Sequence, residues 1–159
     1  MAIPATMKAA VIREHGSPLS IEQVPTPRPG SDDVLIKVIA CGVCHSDLHA
    51  IDGDWTPAAA IPLIPGHEVT GTVVDAGAHV DPAIIGTLVG VPWMYSACGV
   101  CEPCLAGMET ICAQGEATGY TVDGGYAEYV VAPAAFVAAL PDGVDPVAIA
   151  TIKKNSDTT

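Results

Sequence analysis

The sequence predicts a mainly β domain, either a barrel or a sandwich of short strands with little helix. Its 159 residues include 16 glycines and 14 prolines, which interrupt the chain every few residues and favour short strands over long helices. Several short runs are rich in β-branched residues, as strands are. Half of the residues are apolar and only 15% are charged, which is a globular composition, and a chain of this length makes one domain.

The first predicted strands flank a turn. Met7–Arg13 and Leu19–Val24 are separated by a His-Gly-Ser-Pro turn, and the three prolines that follow form a stiff extended link. Asp33–Ala40 is rich in β-branched residues and is predicted to be a largely buried strand. The polar segment after it predicts a short helix over Ser46–Ile51.

The second half continues the alternation of strands and chain-breaking residues. Three prolines between positions 57 and 65 argue against regular structure there, and Glu68–Val74 is a β-branched run that ends in an Asp-Ala-Gly turn. Further strands are predicted at Ile84–Val91, Tyr126–Val131 and Ala135–Leu140, and a helix is predicted at Pro146–Ile152.

The charge balance excludes several classes of partner. The chain has 18 acidic and 6 basic residues and a net charge of -12, and no lysine or arginine lies between Lys37 and Lys153. Phosphate contacts need basic side chains, so we expect no binding to nucleic acid or to an anionic membrane surface. The uncharged segment 82–101 is broken by Pro and Gly, and the first 14 residues lack a signal peptide's apolar run. We therefore predict a cytoplasmic protein.

Four cysteines in one short segment form the most specific motif. Cys98, Cys101, Cys104 and Cys112 have gaps of two, two and seven residues, which let tight turns bring four thiolates onto one tetrahedral zinc ion. An iron–sulfur cluster and disulfides are the alternatives, but so many cysteines in one loop are hard to pair without strain. Four cysteine ligands leave no open position, so this motif predicts a structural zinc site.

A second group of metal-ligating residue types lies earlier in the chain. Its members are Cys41, Cys44, His45, Asp47 and His49 in one segment and His67 and Glu68 downstream. Cysteine, histidine and carboxylate together are the ligands of an open, catalytic zinc site that keeps one position for substrate. The alternative is a buried cysteine pair with histidines that hydrogen-bond within turns.

Three segments in this order resemble the zinc-dependent medium-chain alcohol dehydrogenases: CGVCHSDLH, GHEVTGTVVDAG and CGVCEPCLAGMETIC. The opening MKAAVIREHGSPLSIEQVPTPRPG and the later TGYTVDGGYAEYVVAP are similar to the tetrameric bacterial and yeast branch. The resemblance covers about Met7 to Ala150. It implies that residues 1–150 form the family's GroES-like catalytic domain, a distorted β-barrel with a zinc lobe at about 95–113.

The resemblance also implies roles for the second group. Cys44 matches the first ligand of the catalytic zinc and His67 the second, while Glu68 matches a nearby carboxylate that can coordinate the metal when it shifts. Asp47 matches the carboxylate that hydrogen-bonds the zinc histidine and fixes its tautomer. Cys41 is then a spare, buried cysteine.

Other matches suggest a reaction path and a pocket. Ser46 and His49 match the proton relay, and His45 matches a residue against the cofactor pyrophosphate. Trp55 and Trp93 match walls of the substrate pocket, and narrow aromatic walls favour small primary alcohols, although each could also be an ordinary packed tryptophan. The implied mechanism is zinc Lewis-acid catalysis with hydride transfer from the alcohol to NAD or NADP, which yields an aldehyde.

The sequence departs from the family in what it lacks and at its C-terminal end. It contains no G-x-G-x-x-G segment of the family's second, Rossmann domain, which binds the cofactor. The position of the third catalytic-zinc ligand, a cysteine in the family, holds Lys154, and a protonated lysine cannot ligate zinc. Residues 151–159 are a polar tail unlike the family, for which we expect a disordered terminus.

Two hypotheses follow for the isolated chain. In the first it is the catalytic domain of an alcohol dehydrogenase, inactive or weakly active alone, with a tight structural zinc and a weak or empty catalytic site. In the second it is a non-catalytic zinc-binding or interaction module. That module would self-associate through a docking face that the second domain covers in the family.

Overall fold

Nine strands in three sheets make up most of the regular structure in a computed structural model, which describes residues 2–150. The strands are β1 (Thr6–Val11), β2 (Ser20–Pro25), β3 (Asp33–Gly42), β4 (Glu68–Ala76), β5 (Leu88–Val91), β6 (Met94–Ser96), β7 (Glu116–Ala117), β8 (Tyr129–Pro133) and β9 (Ala138–Ala139). The helices are α1 (His45–Asp52), α2 (Glu102–Leu105) and α3 (Pro146–Ile149), with 3-10 helices at Pro82–Ile84, Glu109–Ile111 and Ala134–Phe136. The prediction of a mainly β domain is confirmed.

The central sheet has five antiparallel strands in the order β8-β3-β4-β5-β9. Its longest pairing, β3 with β4, shifts register between Leu35 and Ile36 and again between Val38 and Ala40. Such irregularities bend a strand and increase its twist, which curves the sheet toward a barrel. An isolated bridge between Ala9 and Ala127 joins the β1–β2 hairpin to the segment just before β8, while β6 and β7 form a separate pair.

Strand β3 separates two hydrophobic cores. Val34 and Ile36 point into one core, which β4, β5 and β8 also line, whereas Leu35 points into the other, against Met7 and Tyr129. All three consecutive residues of β3 have no solvent exposure, so both faces of the strand are covered. This explains the continuous apolar run in the sequence, because a strand with one wet face would alternate.

Three predicted strands were wrong in extent. The prediction Ile84–Val91 retains only its second half, because the Asp81 side chain accepts a hydrogen bond from Ala83 N and starts a 3-10 turn. The prediction Ala135–Leu140 retains two residues, since a 3-10 helix fills its start. In Tyr126–Val131 the strand starts only at Tyr129, and the amide of Tyr126 binds Pro65 O instead.

The first three strands, the first helix and β4 lie within one or two residues of their predicted bounds. Helix α3 begins at the predicted Pro146, where the Asp145 side chain caps Val147 N, and Thr70 Oγ1 donates a hydrogen bond to Pro146 O over 2.8 Å. The predicted end of this helix at Ile152, and the polar tail with Lys154, lie outside the described residues. No helix within residues 2–150 has the length and apolar character needed to cross a membrane.

Two glycine-containing segments lie directly against each other and position the start of β4. Gly124 N donates to Ile64 O over 2.7 Å, and Gly125 N donates to Gly66 O over 2.8 Å. A Cβ on Gly124 would lie 2.1 Å from Gly66 O, so the approach requires glycine. The contact holds the residues before β4, which include the candidate ligand His67.

We expect Gly124→Ala to lower the free energy of unfolding by about 1–3 kcal/mol, because the methyl group would collide with backbone that cannot move aside cheaply. The matched control is Gly90→Ala in β5, where the nearest heavy atom to an added Cβ is 3.6 Å away. Urea unfolding of both variants measures the difference. Equal stability of the two variants would show that the close approach is not needed.

Candidate metal centres

The four cysteines of the first motif converge in one lobe formed by α2 and the turns around it. Cys101 Sγ lies 3.3 Å from Cys104 Sγ and 3.9 Å from Cys112 Sγ, and Cys98 Sγ lies 3.9 Å from Cys104 Sγ. All four sulfurs lie within 4.8 Å of one another. A tetrahedral zinc ion with Zn–S bonds of about 2.3 Å needs sulfurs about 3.8 Å apart. The donor set and its spacing therefore fit a zinc ion.

The thiols of this lobe differ in acidity. The backbone N–H groups of Val100 and Cys101 stabilise the Cys98 thiolate and lower the pKa of Cys98 to about 6. Burial, followed by the hydrogen bond with Cys101, raises the pKa of Cys104 to about 12. The lobe thus presents a thiolate near neutral pH that can capture a cation, and a bound zinc ion would displace the remaining thiol protons.

The second group also converges, but with a mixed donor set. The ligand atoms of Cys44, His67 and Glu68 all lie within 4.8 Å of one another. Cys44 is the N-cap of α1, His67 is the last residue before β4, and Glu68 is the first residue of β4. One thiolate, one imidazole and one carboxylate can hold zinc and still leave room for a further ligand. The structure thus brings together the three residues that the resemblance matched to this metal.

Asp47 connects the parts of this centre. Its side chain is 2% exposed and receives four hydrogen bonds. Oδ1 accepts from Gly66 N and from His67 Nδ1, each over 3.1 Å. Oδ2 accepts from Cys44 N over 2.8 Å and from Tyr126 Oη over 3.0 Å. With the Nδ1 proton of His67 committed to Asp47, the Nε2 lone pair remains for a metal.

These contacts set the charges around the centre. Burial alone would raise the pKa of Asp47, but the hydrogen bonds from His67 and from Cys44 N outweigh it and lower the pKa. Burial opposes the charged form of His67 as well, and the contact with Asp47 raises its pKa. For Cys44, burial is outweighed by hydrogen bonds from Ser46 and His67, so its pKa is lowered. The centre therefore favours the thiolate that a metal needs.

Cys41 lies apart from the cysteine that joins the centre. Its Sγ packs against Gly66 and Gly125, where an added Cβ would be 2.9 and 3.1 Å from the sulfur. Burial raises the pKa of Cys41 to about 12, so the side chain is a neutral thiol. Cys41 is half-buried, where a buried side chain was expected, and it is not among the residues whose ligand atoms meet at the mixed centre.

A cluster of aromatic rings lies on one side of the mixed centre. The Trp93 ring meets His67 edge-on, with ring centroids 4.8 Å apart and planes at 88°. Trp55 lies 6.1 Å from Trp93, and the Tyr120 ring lies 5.3 Å from Trp55 and 5.9 Å from Trp93. The two tryptophans expected to form pocket walls therefore belong to one aromatic cluster beside the candidate ligands.

The remaining predicted residues lie on α1. Ser46 Oγ is 3.7 Å from Cys44 Sγ, which places the hydroxyl beside the metal centre. The His49 ring stacks on Trp55, with centroids 4.7 Å apart, and is 5.0 Å from the exposed His45. His49 thus joins the aromatic cluster through Trp55, with His45 beside it, while Ser46 lies next to the ligand Cys44.

Sequence reasoning missed three residues of this site. Tyr120 completes the aromatic cluster, Tyr126 donates to Asp47, and Asp54 binds the His49 ring. Tyr126 follows Gly124 and Gly125, and such a glycine pair marks a close approach of backbone that could have indicated a site residue. Asp54 follows Gly53 at the end of a short helix, where the chain turns back.

We expect Cys101→Ser to remove about one zinc ion per chain, because a serine hydroxyl is a poor substitute for a thiolate ligand and the lobe depends on the metal to fold. Metal analysis of the purified variant measures the loss, and a lower melting temperature should accompany it. Cys41→Ala is the matched control and should retain the wild-type zinc content. Full zinc content in Cys101→Ser would contradict the assignment of the lobe.

We expect Tyr126→Phe to weaken zinc binding at the mixed centre about tenfold, because Asp47 loses one of the donors that orient it toward His67. Competition with a chromogenic chelator measures the affinity. Tyr95→Phe removes a hydroxyl that lies away from this network and should leave the affinity unchanged. An unaltered affinity in Tyr126→Phe would show that the Asp47 orientation does not need this donor.

The comparisons with known proteins agree with this geometry. A family model described as the alcohol dehydrogenase GroES-like domain matches residues 30–142. Among relatives, an alcohol dehydrogenase of Geobacillus stearothermophilus is 53% identical over 146 residues, which cover 92% of this chain and 43% of the relative. One from Rhizobium meliloti is 54% identical over 136 residues, or 86% of this chain and 40% of the relative.

Solved structures show the same fold. A cobalt- and zinc-bound thermostable alcohol dehydrogenase from Pyrobaculum aerophilum has a TM-score of 0.84 and 35% identity, and the match covers 92% of this chain and 44% of that one. An acetophenone reductase from Geotrichum candidum in complex with NAD has a TM-score of 0.84 and 36% identity, over 94% of this chain and 44% of that one.

The chain therefore spans 40% to 43% of the length of these two relatives. The family model covers most of the chain, and the strand-rich architecture agrees with it. The chain belongs to the zinc-dependent alcohol dehydrogenase family, and its fold is the GroES-like domain of that family.

Proposed function

We propose that the chain provides the catalytic domain, residues 1–150, of a zinc-dependent alcohol dehydrogenase that oxidises small primary alcohols to aldehydes with NAD or NADP. The convergence of Cys44, His67 and Glu68 beside an aromatic cluster carries the proposal. A separate all-cysteine site, which leaves no position for substrate, supports a division into one structural and one catalytic metal.

The mixed centre would hold the catalytic zinc ion. When bound, zinc would supply a Lewis acid that polarises the alcohol oxygen, and the nicotinamide would accept the hydride. Cys44 and His67 would hold the metal, and Glu68 is close enough to join them. Asp47 would keep the ring of His67 in one tautomer and orientation, which its hydrogen bond to Nδ1 supports.

Ser46 and His49 would move the proton of the alcohol away from the reacting oxygen. Ser46 Oγ lies beside Cys44 Sγ, so its hydroxyl is near the position that a substrate oxygen would occupy. His49 lies one helical turn further along α1 and is partly exposed to solvent. The exposed His45 would lie against the cofactor pyrophosphate, because it offers a donor at the first position of the helix.

The aromatic cluster would limit the substrate. Trp93 lies against the ring of His67, and Trp55 and Tyr120 lie beside Trp93. Aromatic rings are large and change shape little, so a substrate site that they border would admit a small unbranched alcohol more readily than a bulky one. Small primary alcohols are therefore the proposed substrates.

We propose that these 159 residues alone have little or no dehydrogenase activity. They contain no G-x-G-x-x-G segment, and lysine and arginine are absent between Lys37 and Lys153, so the cofactor phosphates lack most of their usual partners. Lys154, at the position of the family's third ligand, would repel a metal ion. The lobe of four cysteines would then bind zinc tightly and the mixed centre weakly.

A second candidate is a non-catalytic zinc-binding module that associates with itself or with relatives. Its support is a set of exposed apolar side chains on and around α1 and α3, with Val43 77% exposed, Leu48 46% and Val147 61%. Exposed apolar side chains of this size can mark an interaction surface. A clean monomer in size-exclusion chromatography at high concentration would count against this candidate.

Zinc titration with NAD reduction tests the main proposal. We expect one tight zinc site and one weaker site, the weaker one lost in Cys44→Ser while the tight one persists. Failure to find a second site that depends on Cys44 would contradict the catalytic assignment. We expect little NADH from ethanol, and turnover at about 1 per second or faster, as in ordinary enzymes, would overturn the claim of inactivity.

A further inference from the structure

Just after α1 ends, the carboxylate of Asp54 forms a hydrogen bond with the ring of His49. Nδ1 of His49 lies 2.8 Å from Oδ1 of Asp54 and 3.0 Å from Oδ2. The two residues are five positions apart, further than the three or four that bring side chains together on one helix. The contact therefore depends on how the chain leaves the helix.

Gly53 makes that exit. It has a φ of +69°, the left-handed conformation typical of a helix C-cap, and its N–H donates to His49 O over 2.9 Å. The chain thus turns back at Gly53 and brings the Asp54 carboxylate to Nδ1 of His49. A Cβ at Gly53 would lie 2.5 Å from the ring of His15, so packing as well as conformation requires glycine here.

The ring of His49 is held in a second way. Trp55, next to Asp54 in the chain, stacks on it with centroids 4.7 Å apart and planes at 24°. The stacking on Trp55 fixes the plane of the imidazole, and the hydrogen bond to Asp54 fixes how the ring is turned within that plane. Within residues 2–150 no hydrogen bond engages Nε2 of His49, so this nitrogen remains available to a proton donor.

The chemistry follows from the hydrogen bond. An ionised carboxylate only accepts, so the Nδ1 that faces it carries the proton, and Nε2 then presents a lone pair. A proton taken up at Nε2 would leave Nδ1–H in place and create a positive ring beside the negative carboxylate of Asp54. In serine hydrolases, a buried aspartate likewise accepts a hydrogen bond from Nδ1 of the catalytic histidine, which fixes its tautomer and stabilises the positive ring.

We infer that Asp54 is the positioning residue of the proton relay: it fixes the Nδ1–H tautomer of His49 and presents Nε2 as the proton acceptor. The inference rests on the proposed function, in which His49 receives the alcohol proton through Ser46. Asp54 is not one of the grouped candidate ligands Cys44, His67 and Glu68, so its assigned role is to position His49. Its 53% exposure argues against a large stabilising role, because ion pairs in contact with water contribute little to stability.

The test is the tautomer of His49, read from long-range ¹⁵N–¹H spectra of the labelled full chain at alkaline pH. We expect wild-type Nδ1 to resonate as a protonated nitrogen and Nε2 as an unprotonated one. Asp54→Ala should reverse this pattern or average it, because the acceptor is lost. Asp54→Asn should retain the wild-type pattern, since its amide oxygen accepts the same bond.

The matched control is Asp52→Ala, an exposed aspartate on the last turn of α1 with no hydrogen bond to His49. Its tautomer pattern should equal that of the wild type. An Nε2–H tautomer in the wild type, or an unchanged pattern in Asp54→Ala, would overturn the inference. The absence of a second zinc site would refute the proposed function but leave this pattern intact, so the two failures are distinguishable.

Discussion

The candidate catalytic centre depends on the buried carboxylate of Asp47. Removing a carboxylate from water costs several kcal/mol unless its oxygens are satisfied. Here four donors satisfy them: the amides of Cys44 and Gly66, the ring of His67 and the hydroxyl of Tyr126. These donors come from α1, from the loop before β4 and from the segment before β8. One side chain therefore joins three parts of the chain that are distant in sequence.

The hydrogen bonds to Asp47 require two backbone segments to approach more closely than side chains usually allow. Gly66, Gly124 and Gly125 lie where the loop before β4 meets the segment before β8, and a Cβ at any of them would collide with its neighbours. Their amides and carbonyls form the hydrogen bonds that hold the two segments together. His67 and Tyr126 then reach Asp47 because each directly follows one of these glycines.

The two metal centres place different demands on the fold. The four-cysteine lobe is nearly local, since all of its ligands fall within 15 residues and turns alone can gather them. The mixed centre is assembled from the N-cap of α1 and the start of β4, which lie more than 20 residues apart. Its geometry therefore depends on β3 and β4, whose pairing brings Gly42 opposite Glu68.

The sequence by itself determined the strand-rich class, the pair of metal-ligand groups and the family, because ligand spacing and β-branched runs are local patterns. It also indicated α1 and the first four long strands within a residue or two. It overestimated the strands near Ile84 and Ala135, where a capping Asp81 and 3-10 turns end the extended backbone. Only the tertiary structure decided which distant groups meet: Tyr126 with Asp47, Tyr120 with the tryptophans and Asp54 with His49. The reason is physical, since these contacts depend on the close packing of glycines and on a left-handed helix cap, and their partners follow no fixed spacing.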